Sequence, residues 1–189
     1  MVFAYESMPE FETARLVIRK VDAEADLAAL YELFADDDVA KYTDTGPFRS
    51  MDEATEVMDW IKDIYSRRQG VRWAMAMRED PASLIGTAGF NQWHRWNNSA
   101  EIGYDLAQRY WGRGLAGEAL RPILEFGFSE MALNRIEADV TVGNERSARV
   151  LDKLGFRREG LLRQRGMWKG AYHDVWLYSL LRSDPWQDS

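Results

Sequence analysis

The stretch Arg109-Tyr110-Trp111-Gly112-Arg113-Gly114-Leu115-Ala116 constrains this chain more than any other. A strand-like run at residues 100–106 leads into it. Leu115, Ala116, Ala119, Leu120, Ile123, Leu124 and Phe128 follow at helical spacing. Glycines at 112 and 114 let the main chain turn tightly and approach a ligand, and the first turn of the following helix presents unpaired N–H groups there. Backbone of this kind binds anions, and a pyrophosphate fits it. The loop lacks the Gly-Lys-Ser/Thr ending of an NTPase phosphate loop and the full Gly-x-Gly-x-x-Gly of a dinucleotide fold, so neither ATP nor NAD is its natural ligand.

The rest of the chain alternates between helix and strand signals. Residues 12–19 read as an edge strand, and Leu27, Leu30, Tyr31 and Phe34 form one face of a first helix. Ser50 and Glu53 have capping-box spacing ahead of a second helix with Ala54, Val57, Met58, Ile61, Ile64 and Tyr65 as its apolar stripe. Residues 41–47 form a turn-rich link between the two. Strand-like runs at 72–77, 84–93 and 100–106, with Asp80-Pro81 and Asn97-Asn98 as turn signals, predict an antiparallel meander. Pro122 lies inside the helix after the glycine loop and predicts a local kink, not a stop. A strand at 135–142 follows, then a helix capped by Asn144 and ended by Gly155, then a closing hairpin of strands at 156–167 and 172–181. The tail after Asp184 is expected to fray.

With 189 residues, 46% hydrophobic and 29% charged, the chain is expected to form a single domain over 1–189, with a core over about 12–182. The opening residues carry no basic region followed by an apolar stretch, and no run approaches the roughly 20 apolar residues of a membrane span. The expectation is a soluble, cytoplasmic protein with no membrane partner. The absence of cysteine excludes disulfides, a thiol nucleophile and a cysteine-ligated metal. His94 and His173, the only histidines, are too few and too isolated for a metal site, so none is expected. Lys and Arg total 24 against 31 Asp and Glu, a net charge of -7, which disfavours nucleic acid and leans towards cationic acceptors. The hydrophobic content and aromatic turns make a homodimer an expectation of lesser weight.

Taken together, several motifs resemble the GNAT superfamily of acetyl-CoA-dependent N-acetyltransferases, and most closely its branch of RimJ/RimL-type ribosomal-protein N-terminal acetyltransferases. They are Thr13-Ala14-Arg15-Leu16, Ala100-Glu101-Ile102-Gly103-Tyr104, the glycine loop, Asn144-x-x-Ser147 and Leu154-Gly155-Phe156. The resemblance covers about residues 12–182. It implies an α/β (α+β) fold with a mixed, largely antiparallel sheet and flanking helices. It implies acetyl-CoA as co-substrate, and direct attack of an amine on the thioester in a ternary complex. The preferred acceptor is the N-terminal amine of a protein or peptide, with polyamines, aminoglycosides and amino-acid derivatives as alternatives. A different class of function, a non-catalytic acyl-CoA-binding sensor, also fits the loop.

By the same resemblance the pantetheine arm lies along the strand before the loop, against Tyr104, Asp105 and Leu106, with a backbone N–H of that strand on the thioester oxygen. The pyrophosphate falls to Gly112, Gly114, Leu115 and Ala116, assisted by Arg109 and Arg113. Asn144 would hold the pantetheine amides or cap its helix, and Ser147 would donate to the leaving thiolate. The family's usual tyrosine acid aligns with Leu151, and the branch's glutamate base aligns with Gly166. Both are therefore missing. Glu101 becomes the candidate base, an acceptor-amine ligand or a solvated strand residue. An ordinary carboxylate sits about three units below an amine's range, so base action needs a water or a raised pKa. Trp93 and Asp174 are candidate acceptor-binding residues, each with packing or hairpin support as the competing role.

Overall fold

The computed structural model describes residues 7–185. The last four tail residues, 186–189, for which fraying is expected, lie outside them. Among the described residues eight strands form one sheet: β1 (Phe11–Glu12), β2 (Leu16–Lys20), β3 (Val71–Met77), β4 (Asp80–His94), β5 (Ser99–Leu106), β6 (Arg135–Thr141), β7 (Arg157–Trp168) and β8 (Ala171–Leu181). Their spatial order is β1-β2-β3-β4-β5-β6-β8-β7. All neighbours are antiparallel except β5 and β6, which run parallel. The helices are α1 (Leu27–Ala35), α2 (Asp37–Ala40), α3 (Met51–Ser66), α4 (Leu115–Ser129) and α5 (Glu145–Lys153). The fold is α/β, a mixed sheet with helices on both faces.

The alternation of side chains along each strand builds a separate core on each face. On one face Trp73, Phe90 and Ile102 pack with Leu120, Ile123 and Leu124 of α4 and Leu151 of α5. On the other, Ala74 and Leu84 pack with Leu30 and Phe34 of α1 and Met58 and Ile61 of α3. Helix α3 begins as its capping box predicts, with the Glu53 carboxylate accepting from the Ser50 N–H at 2.9 Å. Helix α4 continues through Pro122. Among the described residues no helix is long and apolar enough to cross a membrane.

Two local expectations are corrected. The turn between β3 and β4 is Arg78-Glu79, and Asp80-Pro81 opens β4, where Met77 pairs with Asp80. Proline is tolerated there because the first residues of a strand need donate no ladder hydrogen bond. The first strand is interrupted at residues 13–15 because Thr13 and Arg15 turn towards α4. The consequence of that turn is felt at the glycine loop.

Candidate active site

The decisive feature of the sheet is where one pair of strands stops pairing. β5 and β6 are in register at Ser99–Arg135, Ala100–Ile136 and Glu101–Glu137 only, yet β5 runs on to Leu106 and β6 to Thr141. Beyond Glu101 the two strands separate and a cleft of about 1170 Å³ opens between them. It is lined by residues from helices on both faces of the sheet, among them Trp60 of α3 and Ser147 of α5.

One side of the cleft is the glycine loop. Gly112 and Gly114 have φ of +72° and +76°, the left-handed region that L side chains avoid, and a Cβ at Gly112 would meet nothing within 4 Å. The glycines are there for the backbone path and not for lack of room. α4 then presents the N–H groups of Leu115, Ala116 and Gly117 in its first turn. Trp111 ties the loop to the strand before it, its Nε1 donating to the Leu106 carbonyl at 2.6 Å. This open concavity of glycine backbone and helix N-terminus fits a diphosphate.

The loop is braced from the far end of the chain. Arg15 donates from Nη1 to the Arg113 carbonyl at 2.9 Å and from Nε to Glu118 at 2.7 Å, and its backbone N–H reaches the same carboxylate at 2.8 Å. Thr13 Oγ1 adds a fourth bond, to Glu118, at 2.6 Å. Burial alone would raise the Glu118 pKa, but the bonds from Thr13 and Arg15 outweigh it and hold it below the usual range. Arg109 and Arg113 lie against the Tyr110 ring, at 5.1 and 5.6 Å, outside the cleft lining. The cations that line the cleft here are Arg121, Arg146, Arg149 and Lys153.

Along β5 the faces divide as alternation predicts, because the bulge in this region lies in β4, at Asn91. Tyr104 faces α5, where its hydroxyl stands 2.8 Å from Ser147 Oγ. Asn144 caps α5 by accepting from the Ser147 N–H at 3.2 Å, and both Asn144 and Ser147 line the cleft. Asp105 faces the other way. It is the ion-pair partner of the buried Arg72, whose guanidinium also donates to Asn91 at 2.7 Å and Thr87 at 3.0 Å.

Glu101 stands at the last paired position before the strands part, half-buried and lining the cleft. Burial pushes its carboxyl above the usual carboxylate range, and the charge of Asp139 pushes it further, against the opposing pull of Arg165. The wall around it is acidic and aromatic. Asp38, Asp44 and Glu56 line it from α2, the following segment and α3, while Trp60 and Trp168 supply ring faces. Cations of α4 and α5 thus share one cleft with the carboxylates of α2 and α3, and Arg72, Arg165 and Glu118 line it as well.

Gly166 explains itself in this wall. A Cβ there would fall 1.9 Å from Cζ3 of Trp168, whose ring lies flat on His173 at 4.4 Å. The indole of Trp168 occupies the space that a side chain at 166 would need. Lys169 then fastens the hairpin tip to the end of α2, donating to the Ala40 carbonyl at 2.6 Å.

The structure does not bring Trp93 or Asp174 to the cleft. Trp93 is 8% exposed within the core, beneath the guanidinium of Arg95 at 4.0 Å. Asp174 accepts from the Gln164 N–H at 2.7 Å and holds the irregular stretch of β7. Residues that sequence reasoning passed over are Arg15 and Glu118, which fix the loop, Arg72, which pairs with Asp105, and Asn91, which accepts from the Arg72 guanidinium. The Thr13-Ala14-Arg15-Leu16 motif was the available signal for the first pair.

A family model described as an acetyltransferase (GNAT) domain matches residues 15–157. The chain belongs to the GNAT acetyltransferase family. As a member of it, this protein is an N-acetyltransferase, and the sensor alternative is set aside. The uncharacterized N-acetyltransferase p20 of Bacillus licheniformis is 38% identical over 177 residues, which cover 94% of this chain and 98% of that protein. The ribosomal-protein-serine acetyltransferase of Escherichia coli is 35% identical over 105 residues, 56% of this chain and 58% of its own length. A crystal structure of a GNAT-family acetyltransferase from Bacillus anthracis aligns with a TM-score of 0.78 at 28% identity, covering 92% of this chain and 98% of that one.

Proposed function

We propose that this N-acetyltransferase transfers the acetyl group of acetyl-CoA to the N-terminal amine of a protein or peptide, by direct attack within the cleft. The observation that carries the proposal is the position of Glu101, at the point where β5 and β6 part, with its carboxyl pushed upward by burial. The donor supplies an activated acyl group on a thiol. The Gly112–Gly114 backbone and the first turn of α4 would hold its diphosphate, with Arg121, Arg146 and Arg149 as cations lining the same cleft. The β5 edge beyond Glu101 has no strand partner in the register, which leaves backbone for the pantetheine arm. Glu101 would take the amine proton, directly or through a water, and Ser147 would donate a hydrogen bond to the departing sulfur.

The size of the proton-transfer gap favours a terminal amine. An α-amino group titrates near 8 and an alkylamine near 10.4, a difference worth about 3.3 kcal/mol of deprotonation at roughly 1.36 kcal/mol per unit. A carboxylate with a raised pKa reaches the first far more readily than the second. The similarity to a ribosomal-protein-serine acetyltransferase also supports this acceptor. The acidic wall favours a second reading, a small polyamine, whose extra charges would meet Asp38, Asp44 and Glu56. Release of CoA thiol against N-terminal peptides, polyamines and aminoglycosides separates the two. Peptides are expected to show the highest kcat/KM, and a polyamine that outpaces every peptide transfers the assignment to the second reading.

A further inference from the structure

We propose that Tyr104 acts as a positioning residue for the leaving group, its phenol donating to Ser147 Oγ so that the serine's own proton is aimed into the cleft. The inference rests on the reading of Ser147 as the hydrogen-bond donor to the thiolate. The two hydroxyls are 2.8 Å apart, at the preferred O–H···O distance, and both residues line the cleft from opposite walls, β5 and α5. The phenol has one alternative acceptor, the Ser147 carbonyl at 3.2 Å. If its proton goes there, the serine must donate back to the phenol and has nothing for the sulfur. If its proton goes to Ser147 Oγ, over the shorter distance, the serine proton is released to the cleft. Burial pushes the phenol's ionisation upward, which keeps the donor protonated.

The sequence offers a reason for this arrangement. The helix position where the resemblance places a tyrosine acid is Leu151, which is fully buried and carries no proton. A tyrosine on the facing strand instead reaches the first turn of the same helix, at Ser147. The step balances without ionising Tyr104. The amine nitrogen bonds to the acyl carbon, Glu101 removes the nitrogen's proton and passes it to water, and the carbon–sulfur bond breaks. Ser147 holds the resulting negative charge through its O–H while Tyr104 holds Ser147.

The test compares Tyr104→Phe, Ser147→Ala and the double variant, each with an acceptor peptide and two acyl donors, acetyl-CoA and 4-nitrophenyl acetate. Nitrophenolate leaves without help from a proton donor. Thermal unfolding and acetyl-CoA titration verify that each variant is folded and binds. With acetyl-CoA, Tyr104→Phe is expected to lower kcat by about 100-fold, the lower end of what proton donation contributes. The double variant should be no slower than Ser147→Ala, and with nitrophenyl acetate the loss in Tyr104→Phe should be several-fold smaller than with acetyl-CoA. Wild-type turnover in Tyr104→Phe beside a slowed Ser147→Ala overturns the inference alone. Wild-type turnover in Ser147→Ala overturns the underlying reading of the serine, and the inference with it. Equal slowing of Tyr104→Phe with both donors shows that the ring merely supports the fold, and also overturns it.

Discussion

Arg15 should govern donor affinity although it is almost a hundred positions from the loop it steadies. Its guanidinium makes a two-pronged contact with Glu118 and one bond to the Arg113 carbonyl, between the two left-handed glycines. The side chain is 44% exposed, so solvent screening limits the ion pair to about 1 kcal/mol. The carbonyl bond adds about 1 kcal/mol. Replacing Arg15 with Met should therefore cost about 2 kcal/mol of stability, a fall in Tm of roughly 4–8 °C for a chain of this size. Binding suffers separately, because the loop must then be ordered by the ligand. Fixing one backbone residue costs about 1–2 kcal/mol, so the dissociation constant for acetyl-CoA should rise about 10-fold. The variant also leaves the Glu118 carboxylate uncompensated beside the diphosphate, which acts in the same direction. Calorimetric titration with acetyl-CoA and a thermal melt on one preparation measure both effects. A lowered Tm with a dissociation constant within twofold of wild type would refute the reasoning, since the brace would then serve the fold and not the site.

Three further outcomes follow from the site and the sheet edge. Gly166→Ala should force the Trp168 ring off His173, since the new Cβ would lie 1.9 Å from it; acceptor KM should change severalfold in steady-state assays while acetyl-CoA affinity stays put, with about 1–3 kcal/mol of destabilisation from overpacking. Glu101 has a raised folded pKa, so its contribution to stability is present below the unfolded value and lost as pH rises through the folded one. Glu101→Gln should accordingly melt higher than wild type at pH 7 and at the same temperature near pH 3. Glu159 behaves oppositely. Arg135 and Ser179 hold its pKa down at about 2, so its contribution is present above the ordinary glutamate range and lost as pH falls towards 2. Acid-unfolding curves of Glu159→Gln should show a shallower loss between about pH 4 and 2 than wild type.

Elements with strong local signals were legible from the chain alone. The meander, the helix behind the glycine loop, the Asn144 cap and the closing hairpin each rest on periodicity or turn chemistry within a few residues. What was not legible depends on distant parts of the chain meeting. The contact of Arg15 with Glu118 spans 103 positions, and nothing in either local pattern reports it. The separation of β5 from β6 after Glu101 creates the cleft, yet both strands read as ordinary runs. The resemblance sets Asp105 beside the co-substrate and alternation gives its face, but neither reports its partner, the buried Arg72 on β3. Trp93 looked like an acceptor residue because it stands beside His94 and Trp96 in sequence, while β-alternation turns it into the core. The residue type at Gly166 shows that no carboxylate stands there, but not that the ring of Trp168 fills the space a side chain would need.

The central claim is that Glu101, at the break in the sheet, serves as the base for an amine acceptor. Its most direct test is the rate of CoA thiol release by Glu101→Gln with acetyl-CoA and the best acceptor peptide, with acetyl-CoA affinity measured alongside. The account predicts a fall in turnover on the order of 10²-fold or more, the usual contribution of general base catalysis, with the dissociation constant unchanged within about twofold. Wild-type turnover in that variant would contradict it.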